Sequence, residues 1–160
     1  MSHSPEDVRV YDLFKNFLTD NGIHFQENED NMRLECTITA EDLPQPTIIR
    51  IMEKQDLVQI ISPLPFIVPE DKRLDMAVAV SVANDHILNG SFDLNFSHGG
   101  MCFRVSQSYV DMELSKECAR YCFSIAVMAT DQYNDLFFML SKGMMSLEQF
   151  IEEDAKRIAE

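Results

Sequence analysis

Hydrophobic and polar positions change period several times along the chain, and each change marks an element. Over residues 8–21 the apolar positions Val8, Tyr11, Leu13, Phe14, Phe17 and Leu18 recur at helical spacing. Ser4 before Pro5 is a start signal and Asn21-Gly22 a stop, so a first amphipathic helix is predicted there. After a short extended piece at 23–26 and an acidic turn, the period falls to two. Met32, Leu34, Cys36 and Ile38 alternate with Arg33, Glu35, Thr37 and Thr39, the pattern of a half-buried strand.

Two β-branched runs, 47–53 and 56–62, are separated by Lys54-Gln55 and read as a hairpin with a two-residue loop. That loop pairs Ile51 with Val58 and Ile49 with Ile60 on one face. On the other it pairs Met52 with Leu57 and Ile48 with Ile61, with Arg50 facing Gln59 between them. Both faces are largely apolar, so each is expected to lie against a helix or another chain. Pro63, Pro65 and Pro69 are read as ending the sheet segment and introducing a second helix, with Glu70 and Asp71 in its first turn. Its apolar face is read as Leu74, Ala77, Val78, Ser81, Ile87 and Leu88, ending at Asn89-Gly90.

Gly99-Gly100 is a two-residue turn signal for a second hairpin. It would pair Phe96 with Phe103 and Leu94 with Val105 on a core face, and Asn95 with Arg104 and Asp93 with Ser106 on a wet one. A long helix follows from about residue 114, with Ser115 as cap. Ala119, Cys122, Ala126, Ala129, Tyr133, Leu136, Phe137 and Leu140 form its apolar side, and Lys142-Gly143 its stop. Ser146 with Gln149 forms a capping box for a last helix carrying Leu147, Phe150, Ile151 and Ile158. The order α-β-β-β-β-α-β-β-α-α is an α+β layout with an antiparallel sheet.

That order, together with the join between the second helix and the second hairpin, resembles the YbjN-type family. This bacterial family is associated with sensory transduction regulation and shares the type III secretion chaperone-like fold. The matching residues are Val82-Ala83-Asn84-Asp85-His86-Ile87-Leu88, the step Asn89-Gly90-Ser91-Phe92-Asp93-Leu94, and Gly99-Gly100 leading into Met101-Cys102-Phe103-Arg104-Val105. The resemblance implies that Asn84 tethers backbone near the helix end, that Gly90 caps the helix and that Phe92 is the first core residue of the strand. It also implies a small acidic cytoplasmic module, often dimeric, that binds protein segments and has no catalytic residue. The helix after Gly143 is additional to the secretion chaperones.

Composition narrows the function classes. The chain has 160 residues, 46% of them hydrophobic, enough for a core and consistent with one domain over 1–160, its core at about 6–142 and the extra helix at about 146–159. Lys plus Arg number 13 against 27 Asp plus Glu, a net charge of −14. Such a surface repels phosphate backbones and anionic headgroups, so neither nucleic acid nor a membrane surface is an expected partner. The first residues, Met1 to Asp7, lack the basic and apolar regions of a secretory signal, and a soluble cytoplasmic protein is expected.

Chemistry is sparse. There is no GxxxxGK[ST], GxGxxG or GxSxG, and the four histidines are scattered, so no catalytic, metal or cofactor residue is assigned. Cys118 and Cys122, four apart, could respond to metal or oxidation but lie on the packing stripe and read as core. Asp131 and Asp135 read as a solvated helix face rather than a cation site. Met139, Met144 and Met145 with Phe137 and Phe138 read as a joint between the last two helices, with a recognition patch as the other reading.

The expected function is therefore a non-enzymatic protein-interaction or chaperone-like regulatory module, homodimeric, that holds a protein segment on a sheet face or edge. Its candidate face is Ile48, Arg50, Met52, Leu57, Gln59 and Ile61. The alternative is a sensory regulator that takes a small molecule into an apolar pocket between sheet and helices.

Overall fold

Ser4 opens the first helix by accepting from the Asp7 amide at 3.1 Å, with Pro5 at the first helical position. In the computed structural model, which describes residues 3–39 and 43–159, the elements run α1 Pro5–Asp20, β1 Phe25–Asn28, β2 Arg33–Ile38, β3 Gln45–Met52, β4 Leu57–Ile67, α2 Arg73–Asn84, β5 Ser91–Leu94, β6 Gly100–Ser108, α3 Lys116–Ser141 and α4 Leu147–Ala159. The expected element order and the α+β class both hold. All six strands form one antiparallel sheet in the order β1-β2-β3-β4-β6-β5.

One face of the sheet carries the core. Leu34, Ile49, Val58, Ile60, Phe103 and Val105 are fully buried there against Phe14 and Leu18 of α1 and Ala119, Cys122 and Ala126 of α3. At the β5 end, the Phe92 ring lies 4.9 Å from both Phe103 and Phe137 in edge-to-face geometry, and Phe137 stacks at 5.4 Å on Phe150 of α4. Helix α4 is thus packed into the core, with Asp154 accepting from the Tyr133 hydroxyl at 2.7 Å and Arg157 paired with Asp135 at 2.8 Å. Ile151 and Ile158, expected on its apolar side, are exposed.

The first hairpin has the anticipated register, from Ile48↔Ile61 to Met52↔Leu57, but its loop is four residues long. Glu53–Gln55 form a 3₁₀ turn and Asp56 takes the left-handed conformation that a longer loop requires. Pro63 and Pro65 do not end the sheet, because β4 continues through them to Ile67. Its paired register with β3 stops at Ile61, so beyond Ser62 only β6 is a partner, and the register shifts between Pro63 and Ile67. A proline without an N–H is tolerated at such a one-sided, bulged stretch.

In the second hairpin the register differs by four residues from the two-residue turn. Phe92 pairs with Phe103 and Leu94 with Met101, leaving Phe96 exposed in the loop. Asn95 decides this: its side-chain oxygen accepts from the Ser97 amide and hydroxyl, and its backbone closes on Gly99 and Gly100. An even shift keeps the paired strand residues on their anticipated faces, while Phe96, expected in the core, lies outside the strand.

Helix α2 begins at Arg73, after a 3₁₀ turn at Glu70–Lys72, and ends at Asn84 rather than Asn89. Its buried face is Met76, Ala79 and Ala83, whereas Leu74, Ala77, Val78 and Ser81 are exposed. Both faces are apolar at helical spacing, and the tether from Asn84 to β5 selects between them. Gly90 does not cap the helix, since Asp85 occupies that position. Gly90 has φ +82°, and a Cβ there would lie 2.7 Å from the Phe103 ring. Its role is to let backbone pass over that ring.

Candidate protein-binding face

Strands alternate their side chains between faces, and the helices cover only one face of this sheet. On the outer face of the central hairpin, Ile48, Met52, Leu57 and Ile61 are half-buried, Arg50 is exposed and Gln59 is 6% exposed. All six anticipated residues share this face, and among the described residues no helix lies over it. Of the helix or second chain expected over each hairpin face, helices supply the cover of the inner face.

Cross-strand register extends the face in both directions. Glu35 of β2 stands beside Ile48 and Arg33 beside Arg50. On the other side Arg104 stands beside Ile61, Ser106 beside Gln59 and Cys102 beside Pro63. The rows therefore alternate in character: Ile48 with Ile61, then Arg50 with Gln59 and Ser106, then Met52 with Leu57. Arg104 and Ser106 reach the face only through the β4–β6 pairing, which joins strands separated by α2 and β5, whereas Arg33 and Glu35 lie on the neighbouring strand β2. The available signal was alternation: Arg33 and Glu35 fall on the polar side of β2, and Arg104 and Ser106 on the wet face of the second hairpin.

Polar contacts on the face are specific. Gln59 Oε1 accepts from Arg50 Nε at 2.9 Å and Nη2 at 2.6 Å, and Gln59 Nε2 donates to Ser106 Oγ at 2.9 Å. Arg33 pairs with Glu35 at 2.7 Å and Arg104 with Asp93 at 2.9 Å. Burial, followed by the charge of Asp93, raises the Cys102 thiol above its ordinary range. Two open cavities lie toward the β1 edge and meet at Glu35. One of about 470 Å³ is lined by Gln26, Thr37, Pro46 and Ile48, and the other of about 530 Å³ by Asn28, Arg33, Arg50 and Met52.

The remaining candidates belong to packing. Cys122 is fully buried on α3, and burial with the neighbouring Cys118 pushes its thiol up to about 12. Asp135 binds Arg157 and Asp131 accepts from Gln45 at 3.2 Å, so this pair anchors neighbouring elements rather than a solvated face. Phe138 meets Phe66 edge-on at 5.6 Å and Met139 and Met145 pack against the core, as a helix joint requires; Met144 is exposed. Among the described residues no group of three His, Cys, Asp or Glu could hold a metal ion, and no helix is long and apolar enough to cross a membrane.

No protein-family model matches the sequence, and no curated protein does. Solved structures do match. The chain is similar to YbjN from E. coli, with TM-score 0.56 and 14% identity, covering 78% of this chain and 91% of that one. It is similar to the ExsC-ExsE complex, with TM-score 0.59 and 11% identity over 82% and 95% of the two chains. For the HopA1-SchA chaperone-effector complex the TM-score is 0.58, with 9% identity over 84% and 99%. The protein thus has a YbjN-like fold of the type III secretion chaperone class, and none of these neighbours is described as an enzyme.

Proposed function

We propose that the protein is a non-enzymatic, chaperone-like module that holds a segment of another protein against its open sheet face. The observation that carries this reading is the solvent-facing row structure of Ile48, Ile61, Met52 and Leu57 in a domain whose helices all lie on the opposite side. Two of the similar structures are complexes of a protein with a protein partner, which supports a binding role. The module acts in the cytoplasm as a homodimer, and the exposed, uncharged stripe of Leu74, Ala77, Val78 and Ser81 on α2 suits self-association while leaving the sheet face free. A small-molecule regulator gains less support, since the two large cavities open on the outer face rather than beneath the helices.

Affinity capture from the native cytoplasm tests the reading, with Ile48→Asp and Leu57→Asp proteins as controls. The wild type should retain a protein that both variants lose while their melting temperatures stay unchanged. Identical capture by all three proteins would sink the proposal. Light scattering of Val78→Asp tests the dimer separately, with conversion to monomer expected.

A further inference from the structure

Taking the sheet-face reading as its basis, we propose that the segment held there is extended and acidic-apolar, with an apolar, a carboxylate and an apolar side chain at alternate positions and Arg50 receiving the carboxylate. The charge balance of the face is the first ground. The chain carries 27 acids against 13 Lys and Arg, yet the strand residues of the outer face carry Arg33, Arg50 and Arg104 against only Glu35 and Asp93. Glu35 is committed to Arg33 and Asp93 to Arg104. Among the described residues no carboxylate lies within ion-pair distance of Arg50.

Arg50 is nevertheless held in place. Two of its five N–H groups bond the side-chain oxygen of Gln59, itself buried and anchored on Ser106. A glutamine orients the guanidinium without neutralising it, whereas an acid at position 59 would have consumed the charge. The guanidinium is pre-organised with three donors free for a fork-like bond to a carboxylate.

Spacing supplies the pattern of the occupant. Ile48 with Ile61, Arg50 with Gln59, and Met52 with Leu57 are successive same-face rows, so about 7 Å separates each from the next. An extended segment running along β3 and β4 presents its own alternate side chains at the same interval, while a helical turn advances only about 5.4 Å. An apolar residue over Ile48 and Ile61 and another over Met52 and Leu57 would place the middle side chain over Arg50. Covering the row removes water from the ion pair and strengthens it.

The test uses the full chain and blocked peptides of sequence Ser-Ile-Ser-Glu-Ser-Ile-Ser, with Gln and Lys versions at the centre, titrated by NMR so that weak binding is seen. The Glu peptide should bind about tenfold more tightly than the Gln peptide and shift the amides of Ile48, Arg50, Leu57 and Ile61. Arg50→Gln should erase the preference, and Arg50→Glu should transfer it to the Lys peptide. Unchanged circular dichroism and melting temperature establish that both variants are folded, and the milder Arg50→Gln keeps the test decisive if Arg50→Glu is not. Equal binding of Glu and Gln peptides, still abolished by Ile48→Asp, would overturn the acidic preference while leaving the sheet-face reading intact. No shift on this face with any peptide would overturn the acidic-apolar segment, and the capture experiment would then judge the face on its own. Dissociation of a peptide-free dimer by Arg50→Glu would mean that a second copy covers the face, which also overturns it.

Discussion

The side chain of Asn84 satisfies both backbone groups of Phe92: Nδ2 donates to the Phe92 carbonyl at 3.1 Å and Oδ1 accepts from its amide at 2.8 Å. One residue at the end of α2 thereby sets the first core residue of β5, eight positions on. Asn84→Ala leaves both backbone groups partly buried without these partners and should cost about 1–3 kcal/mol, read as a lower urea midpoint. Asn84→Asp keeps the acceptor and loses the donor, and should fall between that variant and wild type.

Gly99 and Gly22 share the left-handed backbone, with φ +78° and +66°, but not the same surroundings. A Cβ on Gly99 would stand 2.2 Å from the Val68 carbonyl oxygen, whereas one on Gly22 meets nothing within 4 Å. Gly22→Ala should therefore cost about 1 kcal/mol from backbone strain alone. Gly99→Ala must also displace the chain around Val68 and should lower the thermal midpoint clearly more.

The two faces of the central hairpin should respond oppositely to charge. Ile60, fully buried at the centre of β4, should lose about 2–5 kcal/mol on truncation to alanine, and Ile60→Asp should fail to fold. Its neighbour Ile61 points outward, so Ile61→Asp should melt close to wild type. Thermal denaturation of these three proteins decides it. Similar losses at 60 and 61 would mean that the outer face is covered.

Alkaline pH should weaken the fold from the ordinary thiol range upward. Burial pushes Cys36 up to about 11 and Cys122, also beside Cys118, up to about 12, from an ordinary value of 9.0. Below pH 9 both states are protonated and stability is unaffected. Between pH 9 and the raised values the unfolded chain sheds protons that the folded one retains, so stability falls as pH rises. Tyr109 and Tyr133 act in the same direction, raised first by burial and then by their bonds to Asp7 and Asp154. Urea midpoints from pH 8 to 11 should decline, and Cys122→Ala should make the decline shallower.

Local pattern sufficed wherever a residue's role depends on near neighbours. The caps at Ser4, Ser115 and Ser146, the stop at Gly143, the face of α3 and the register of the β3–β4 hairpin all rest on contacts a few residues apart, and all six candidate residues lie on the face that the alternation assigned them. The Asn84 tether was legible only through family resemblance. Pattern failed where two local solutions were equally good. Helix α2 has an apolar face on either side, and only its docking on β5 and α4 chose Ala79 and Ala83 over Leu74 and Val78. Gly99-Gly100 offers a tight turn, but Asn95 closes a longer loop that docks on Val68 and Arg73.

By itself the sequence determined the elements, their order and which side chains share a face, because the α and β periods are set by backbone geometry over a few residues. Which face of the central hairpin is covered was decided by tertiary structure alone. The placement of every helix on one side, and the pairing of β4 with β6 across α2 and β5, are long-range choices made by burial of the whole apolar surface. They leave Ile48, Arg50 and Ile61 at the solvent and bring Ser106 and Arg104 beside them.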